Sequence, residues 1–109
     1  MKVGIIRCQQ TEDICPGTTD FKVAADGKGA FEEFGAVEIV GFVSCGGCPG
    51  KKALTRAKML IDRGAEAIAL ASCITKGNPL SFPCPNRETM LNLLAEKYGD
   101  KIELIEYTH

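Results

Sequence analysis

Six cysteines and one histidine are the residues of this 109-residue chain whose types suit metal ligation or nucleophilic chemistry. Two of the thiols form Cys45-Gly46-Gly47-Cys48, a C-x-x-C spacing that lets both sulfurs face one ion. The glycines between them allow backbone N–H groups to turn toward thiolates. The other candidates are Cys8, Cys15, Cys73, Cys84 and His109. Cys15 and Cys84 are each followed by proline, which removes a donor and stiffens the chain beside the thiol. The thiolate is both the ligand form and the nucleophile form of cysteine, so the set suits two chemistries. One is a metal site with Cys45 and Cys48 as one arm and two of Cys8, Cys73, Cys84 and His109 as the other. Zinc accepts four such ligands tetrahedrally, and thiolate-rich sets also suit iron or an iron–sulfur cluster. The other is thiol–disulfide exchange or sulfur transfer, with Cys45 attacking and Cys48 resolving. A scaffold in which the cysteines hold a ligand without chemistry is a third reading, and a buried cysteine taken singly is also just a small hydrophobe. Arg7, Gln9, Thr11, Lys76 and Asn78 stand near the thiols in sequence and offer donors to sulfur or to an anion.

Two phosphate-binding patterns are excluded. Gly50-Lys51 would end a phosphate loop only if Cys45 were its first glycine and Lys52 a hydroxyl residue. A phosphatase-type loop needs arginine shortly after its cysteine, and Lys51 holds that place after Cys45.

The elements that must position these residues are legible from periodicity. Apolar runs rich in Val and Ile over residues 2–7, 37–44, 67–72 and 102–107 predict four strands. Between the second and third, apolar residues at 53, 54, 57, 60 and 61 have helical spacing, with Pro49 as the expected start and Gly64 as the stop. Between the third and fourth, Met90, Leu91, Leu94 and Tyr98 share a helical face, with Asn86 as the expected cap and a left-handed Gly99 as the expected end. The first crossover predicts a broken helix, capped by Thr18 or Thr19, running through Phe21, Ala24 and Ala25 and interrupted at Gly27 and Gly29. The alternation β-α-β-α-β-α-β implies parallel strands with right-handed crossovers. The expected fold is a single α/β domain over residues 1–109: a three-layer open parallel sheet of about four strands in the flavodoxin-like or Rossmann-like order 2-1-3-4.

On that sheet Cys8, Cys45, Cys73 and His109 follow strands one to four, and Cys15 and Cys84 lie in loops over the same edge. Ligands of open α/β sheets bind at this carboxyl edge, where strand order reverses, which places Cys8 and Cys73 on either side of the crevice. Cys48 is expected at the N-cap of the helix begun by Pro49, where the dipole, Lys51 and Lys52 favour an anionic sulfur. His109 serves a site only if the chain stays ordered to that residue.

Composition narrows the partners. A net charge of −1 with scattered lysines argues against nucleic acid, and the absence of tryptophan argues against base stacking. No segment approaches the ~20 apolar residues of a membrane span. The start, Met1-Lys2-Val3-Gly4-Ile5-Ile6, reads as a strand and not as a signal peptide, so a cytoplasmic, reducing compartment with free thiols is expected. A metal ion is the expected partner; nothing in the sequence points to a protein partner.

Taken together, Gly4-Ile5-Ile6-Arg7-Cys8, Cys15-Pro16-Gly17, Phe42-Val43-Ser44-Cys45-Gly46-Gly47-Cys48-Pro49-Gly50, Ala71-Ser72-Cys73-Ile74, Phe82-Pro83-Cys84-Pro85 and Tyr107-Thr108-His109 resemble the CGGC-domain family of bacteria and archaea across the whole chain. The resemblance implies metal binding, usually of zinc. It also implies that Cys8, Cys45, Cys48, Cys73, Cys84 and His109 stand at the family's cysteine and histidine positions. Where relatives often carry histidine after the last Cys-Pro, this chain has Asn86, which is read as a helix cap.

Overall fold

A computed structural model describes residues 1–78 and 81–109. The chain runs β1 (Lys2–Arg7), a 3-10 turn (Gln9–Thr11), α1 (Thr18–Asp26), a second 3-10 turn (Gly29–Phe31), β2 (Glu38–Ser44), α2 (Lys52–Asp62), β3 (Ala67–Leu70), a single helical turn α3 (Ser72–Thr75), α4 (Arg87–Tyr98) and β4 (Glu103–Ile105). All strand pairs are parallel and the sheet order is β2-β1-β3-β4, as the alternation of elements requires. The direction of travel reverses after β2. Right-handed crossovers therefore put α1 on one face of the sheet and α2 and α4 on the other. The latter two are joined where the Tyr98 hydroxyl donates to the Leu54 carbonyl at 3.0 Å.

β1 is the central strand: Val3, Ile5 and Ile6 are wholly buried, as are Ile68 and Leu70 of neighbouring β3. Gly4 and Gly41 are register partners on β1 and β2, and both lie beneath Leu60 of α2. A methyl group added at either would stand 2.7 or 2.3 Å from a Leu60 methyl carbon. The missing side chains form a notch that seats Leu60 directly on the backbone, so α2 packs close to the sheet. Among the described residues no helix is long and apolar enough to cross a membrane.

Several expected boundaries move. Helix α2 begins at Lys52 and not at Pro49, because Gly46, Gly47 and Gly50 all have positive φ (85°, 98° and 91°), which no helix accommodates. Cys48 is therefore exposed in the loop, before a cis Pro49, and is not the N-cap. β3 stops at Leu70, and Ser72 to Thr75 turn into helix, so Cys73 sits inside a helical turn and not in a loop after the strand. α1 is capped by Gly17 (φ 84°), not by a threonine, and ends at left-handed Gly27. Asn86 precedes α4 without a side-chain cap bond, and Gly99 has φ −57°, so it continues the right-handed turn and is not the left-handed stop expected.

Candidate thiol site

The carboxyl edge of the sheet gathers the cysteines, and the ladder explains how. Arg7 pairs with Ser44, and the next residues continue the register: the Cys45 N–H donates to the Arg7 carbonyl at 2.7 Å, leaving Cys8 and Cys45 side by side on adjacent strand ends. On the other flank the Cys8 N–H donates to Cys73 Sγ at 3.2 Å. Cys84 arrives from the loop before α4, its N–H bonded to the Ile74 carbonyl at 2.8 Å and its sulfur accepting the Asn86 N–H at 3.4 Å. Asn86 thus serves this site through its backbone.

Side-chain direction then divides the edge into two cavities. Cys8, Cys45, Cys48 and Cys84 line one of about 20 Å³, with Gln9, Gly47, Pro49 and Met90 among its other walls. That volume is room for roughly one water-sized occupant. Cys15, Cys73 and His109 line a second cavity of about 210 Å³, together with Asp20, Thr18, Thr19 and Asn78. Five of the six cysteines are buried or half-buried, and Cys48 is the exposed one. The sequence-derived set of Cys8, Cys45, Cys48, Cys73, Cys84 and His109 is thus placed along one rim, but Cys73 and His109 face the second cavity.

Burial pushes the Cys8 thiol above its ordinary range; the Gln10 N–H opposes this, and the neighbouring Cys73 and Cys45 sulfurs add to it. Burial likewise raises the Cys73 thiol, against the Cys8 N–H, the Thr11 hydroxyl and the Arg7 guanidinium, while the Asp20 carboxylate raises it further. Arg7 is itself 9% exposed, with its guanidinium bonded to the Thr11 hydroxyl and the Cys15 carbonyl and lying 5.6 Å from the Phe42 ring centroid. It anchors the loop carrying Cys15 onto the end of β1.

His109 is held firmly. Ser72 Oγ accepts the N–H groups of Thr108 (3.2 Å) and His109 (2.9 Å) and donates to the His109 carbonyl (2.9 Å). Thr108 Oγ1 accepts the Ser72 N–H at 3.1 Å and donates to Asp20 Oδ1. The His109 ring follows, with Nε2 3.6 Å from Asp20 Oδ1. Asp20, Ser72 and Thr108 were not singled out from the sequence. The available signal was Asp20 itself, a carboxylate four residues before Ala24 on the inward face of α1, where both are buried.

The donor chemistry of the first cavity fits a thiophilic cation: four cysteines and no basic side chain line it. As the side chains stand, no three His, Cys, Asp or Glu groups among the described residues are arranged to hold one ion.

Two uncharacterized proteins of Methanocaldococcus jannaschii are similar to this chain. One is 46% identical over 79 residues, covering 67% of this chain and 62% of its own length; the other is 39% identical over 61 residues, covering 55% of this chain and 86% of its own length. This chain thus spans less than two thirds of the first relative. No solved structure matches. The profile of the CGGC domain matches residues 2–109, which include every cysteine on the rim and the Ser72–Thr108–Asp20 network behind it, and the chain belongs to the CGGC domain family.

Proposed function

We propose that this chain binds a metal ion, zinc foremost, through Cys8, Cys45, Cys48 and Cys84. The observation that carries this reading is that four thiols from three separate stretches of chain line a single cavity of about 20 Å³. Zinc is the first choice because it favours four sulfur or nitrogen ligands; iron and an iron–sulfur cluster share the thiolate preference. When bound, the ion would hold the CGGC loop, the end of β1 and the loop before α4 together. The chain's own residues supply the deprotonated sulfurs, the Asn86 N–H on Cys84 and a wall formed by Gln9 and Met90. Cys73 and His109 face the other cavity, so they are placed outside this ligand set. A reducing, cytoplasmic setting keeps such thiols free, and neither nucleic acid nor a membrane has a part in the reading.

The test is elemental analysis of anaerobically purified protein combined with thiol counting. One zinc or iron per chain is expected, lost in Cys45→Ser and Cys84→Ser and retained in Cys15→Ser and Cys73→Ser. Metal-free protein in which Cys45 and Cys48 form a reversible disulfide would replace this reading with thiol–disulfide exchange. Exposure favours that second reading only with its roles exchanged: Cys48 is exposed and attacks, while Cys45, 6% exposed, resolves.

A further inference from the structure

The cavity of about 210 Å³ holds groups that the metal reading leaves unused: Cys73, His109 and Asp20, with Thr18 and Thr19 at the start of α1. We propose that it is a second, separate site, for acyl transfer from small esters or thioesters, in which Cys73 attacks, His109 takes the thiol proton and Asp20 positions His109.

Each member is fixed through a neighbour. Ser72, next to Cys73 in the chain, binds the backbone of His109, and Thr108, next to His109, binds Asp20. The thiol and the imidazole are thereby clamped to a common hub, and both line the same cavity. His109 Nε2 stands 3.6 Å from the buried Asp20 Oδ1, which also accepts the Thr108 hydroxyl, so the carboxylate orients the ring by attraction across that gap. The Cys8 N–H at 3.2 Å holds Cys73 Sγ in place. α1 is nine residues long and is capped by Gly17, which has no side chain, so the N–H groups of Thr18 and Thr19 have no partner within the helix, and both residues line the cavity. Donors at that position suit the negative oxygen of a tetrahedral acyl intermediate. The arrangement has a nucleophile, a base, a group that orients the base, and oxyanion donors. Ile14 and Pro16 add apolar wall and Asn78 a polar one, and the volume lies below the ~300 Å³ of drug-sized sites, so the acyl group is short.

In the reaction, a bond forms between Cys73 Sγ and the acyl carbon while the thiol proton passes to His109. The carbon–oxygen or carbon–sulfur bond of the substrate breaks, and His109 returns the proton to the leaving alkoxide or thiolate. Water then cleaves the acyl-Cys73 thioester, restoring the thiol and releasing the carboxylic acid.

The probe is p-nitrophenyl acetate, added to the purified full chain with its native metal content, with release of p-nitrophenol followed and the acetyl group mapped by mass spectrometry. The acetyl group is expected on Cys73, and His109→Gln is expected to slow its transfer about 10²-fold, the usual size of a general-base contribution. Asp20→Asn is expected to lower kcat for p-nitrophenyl acetate while leaving KM in place, since the imidazole loses the group that orients it. An Asp20→Asn chain that loses folded protein but keeps the native kcat per folded chain would make Asp20 merely structural and overturn its positioning role. Acetylation of exposed Cys48 with Cys73 unmodified, or a His109→Gln variant reacting at the native rate, overturns the proposal. Metal content, measured on the same samples, separates this outcome from the fate of the metal reading: acetylation of Cys73 in a chain without metal sustains the present proposal alone.

Discussion

Replacing Ser72 by alanine removes one hydroxyl that serves three backbone groups: the N–H of Thr108, the N–H of His109 and the carbonyl of His109. A serine hydroxyl has one hydrogen and two lone pairs, so those three bonds saturate it. The 3.3 Å contact between Ser72 Oγ and Thr108 Oγ1 then carries no proton, because Thr108 gives its own to Asp20. In the alanine variant the His109 carbonyl keeps the Lys76 ammonium at 3.0 Å, but the two N–H groups lose their acceptor. Thr108 is fully buried, and an orphaned buried donor costs about 1–3 kcal/mol. The half-buried His109 N–H adds about 0.5–1.5 kcal/mol, for a total of about 1.5–4.5 kcal/mol. Against the ~5–15 kcal/mol of a typical domain this is a large fraction. With a urea slope of about 2 kcal/mol per molar, the unfolding midpoint is expected to fall by about 1–2 M, read by far-ultraviolet circular dichroism. A fall under about 0.3 M would refute the assignment of Ser72 as the hub that fixes residues 108–109.

The neighbouring hydroxyl behaves oppositely. Thr75 Oγ1 is buried without a hydrogen-bond partner among the described residues, so Thr75→Val, which keeps the shape, is expected to unfold at the same or a slightly higher urea concentration, and a clear loss would mean that the hydroxyl is bonded. Alkaline stability follows from the thiols. Cys8 and Cys73 both bind their protons more tightly in the folded chain than the ordinary thiol value of 9.0, so the folded state holds more protons than the unfolded one above that pH. The contribution is complete below about pH 9 and is lost as pH rises through the folded values. The metal-free protein should therefore lose stability in that alkaline window, and Cys8→Ser combined with Cys73→Ser should flatten the loss; an unchanged slope would remove the cause.

Much of the architecture was legible in the sequence because it depends on patterns that survive averaging over side-chain detail. The run from Lys2 to Arg7 is β1 to the residue, since a central strand buried on both faces reads as continuous apolar sequence. The order β2-β1-β3-β4 followed from alternating strands and helices with right-handed connections. What the sequence could not carry was local backbone sign and side-chain direction. Pro49 looks like a helix start, but three positive-φ glycines around it delay α2 to Lys52. Ala71 and Ser72 look like the end of a strand, but the chain turns at Ala71. Residues at one sheet edge were recognisable as neighbours, whereas the division into two cavities depends on where each sulfur points. The pairing of Asp20 with Thr108 was not legible because a buried polar pair 88 positions apart has no periodic signature.

The paired glycines beneath Leu60 have a bearing on ligand affinity. With Leu60 seated against bare backbone at Gly4 and Gly41, the segment that carries Cys45 and Cys48 is tethered at one end to β2 and at the other to a helix with no freedom to ride up or down. Conformational entropy that a floppy loop would surrender at the moment of capture has then already been surrendered during folding. Restoring a side chain at Gly41 would lift α2 and weaken capture from a distance, without altering a single sulfur.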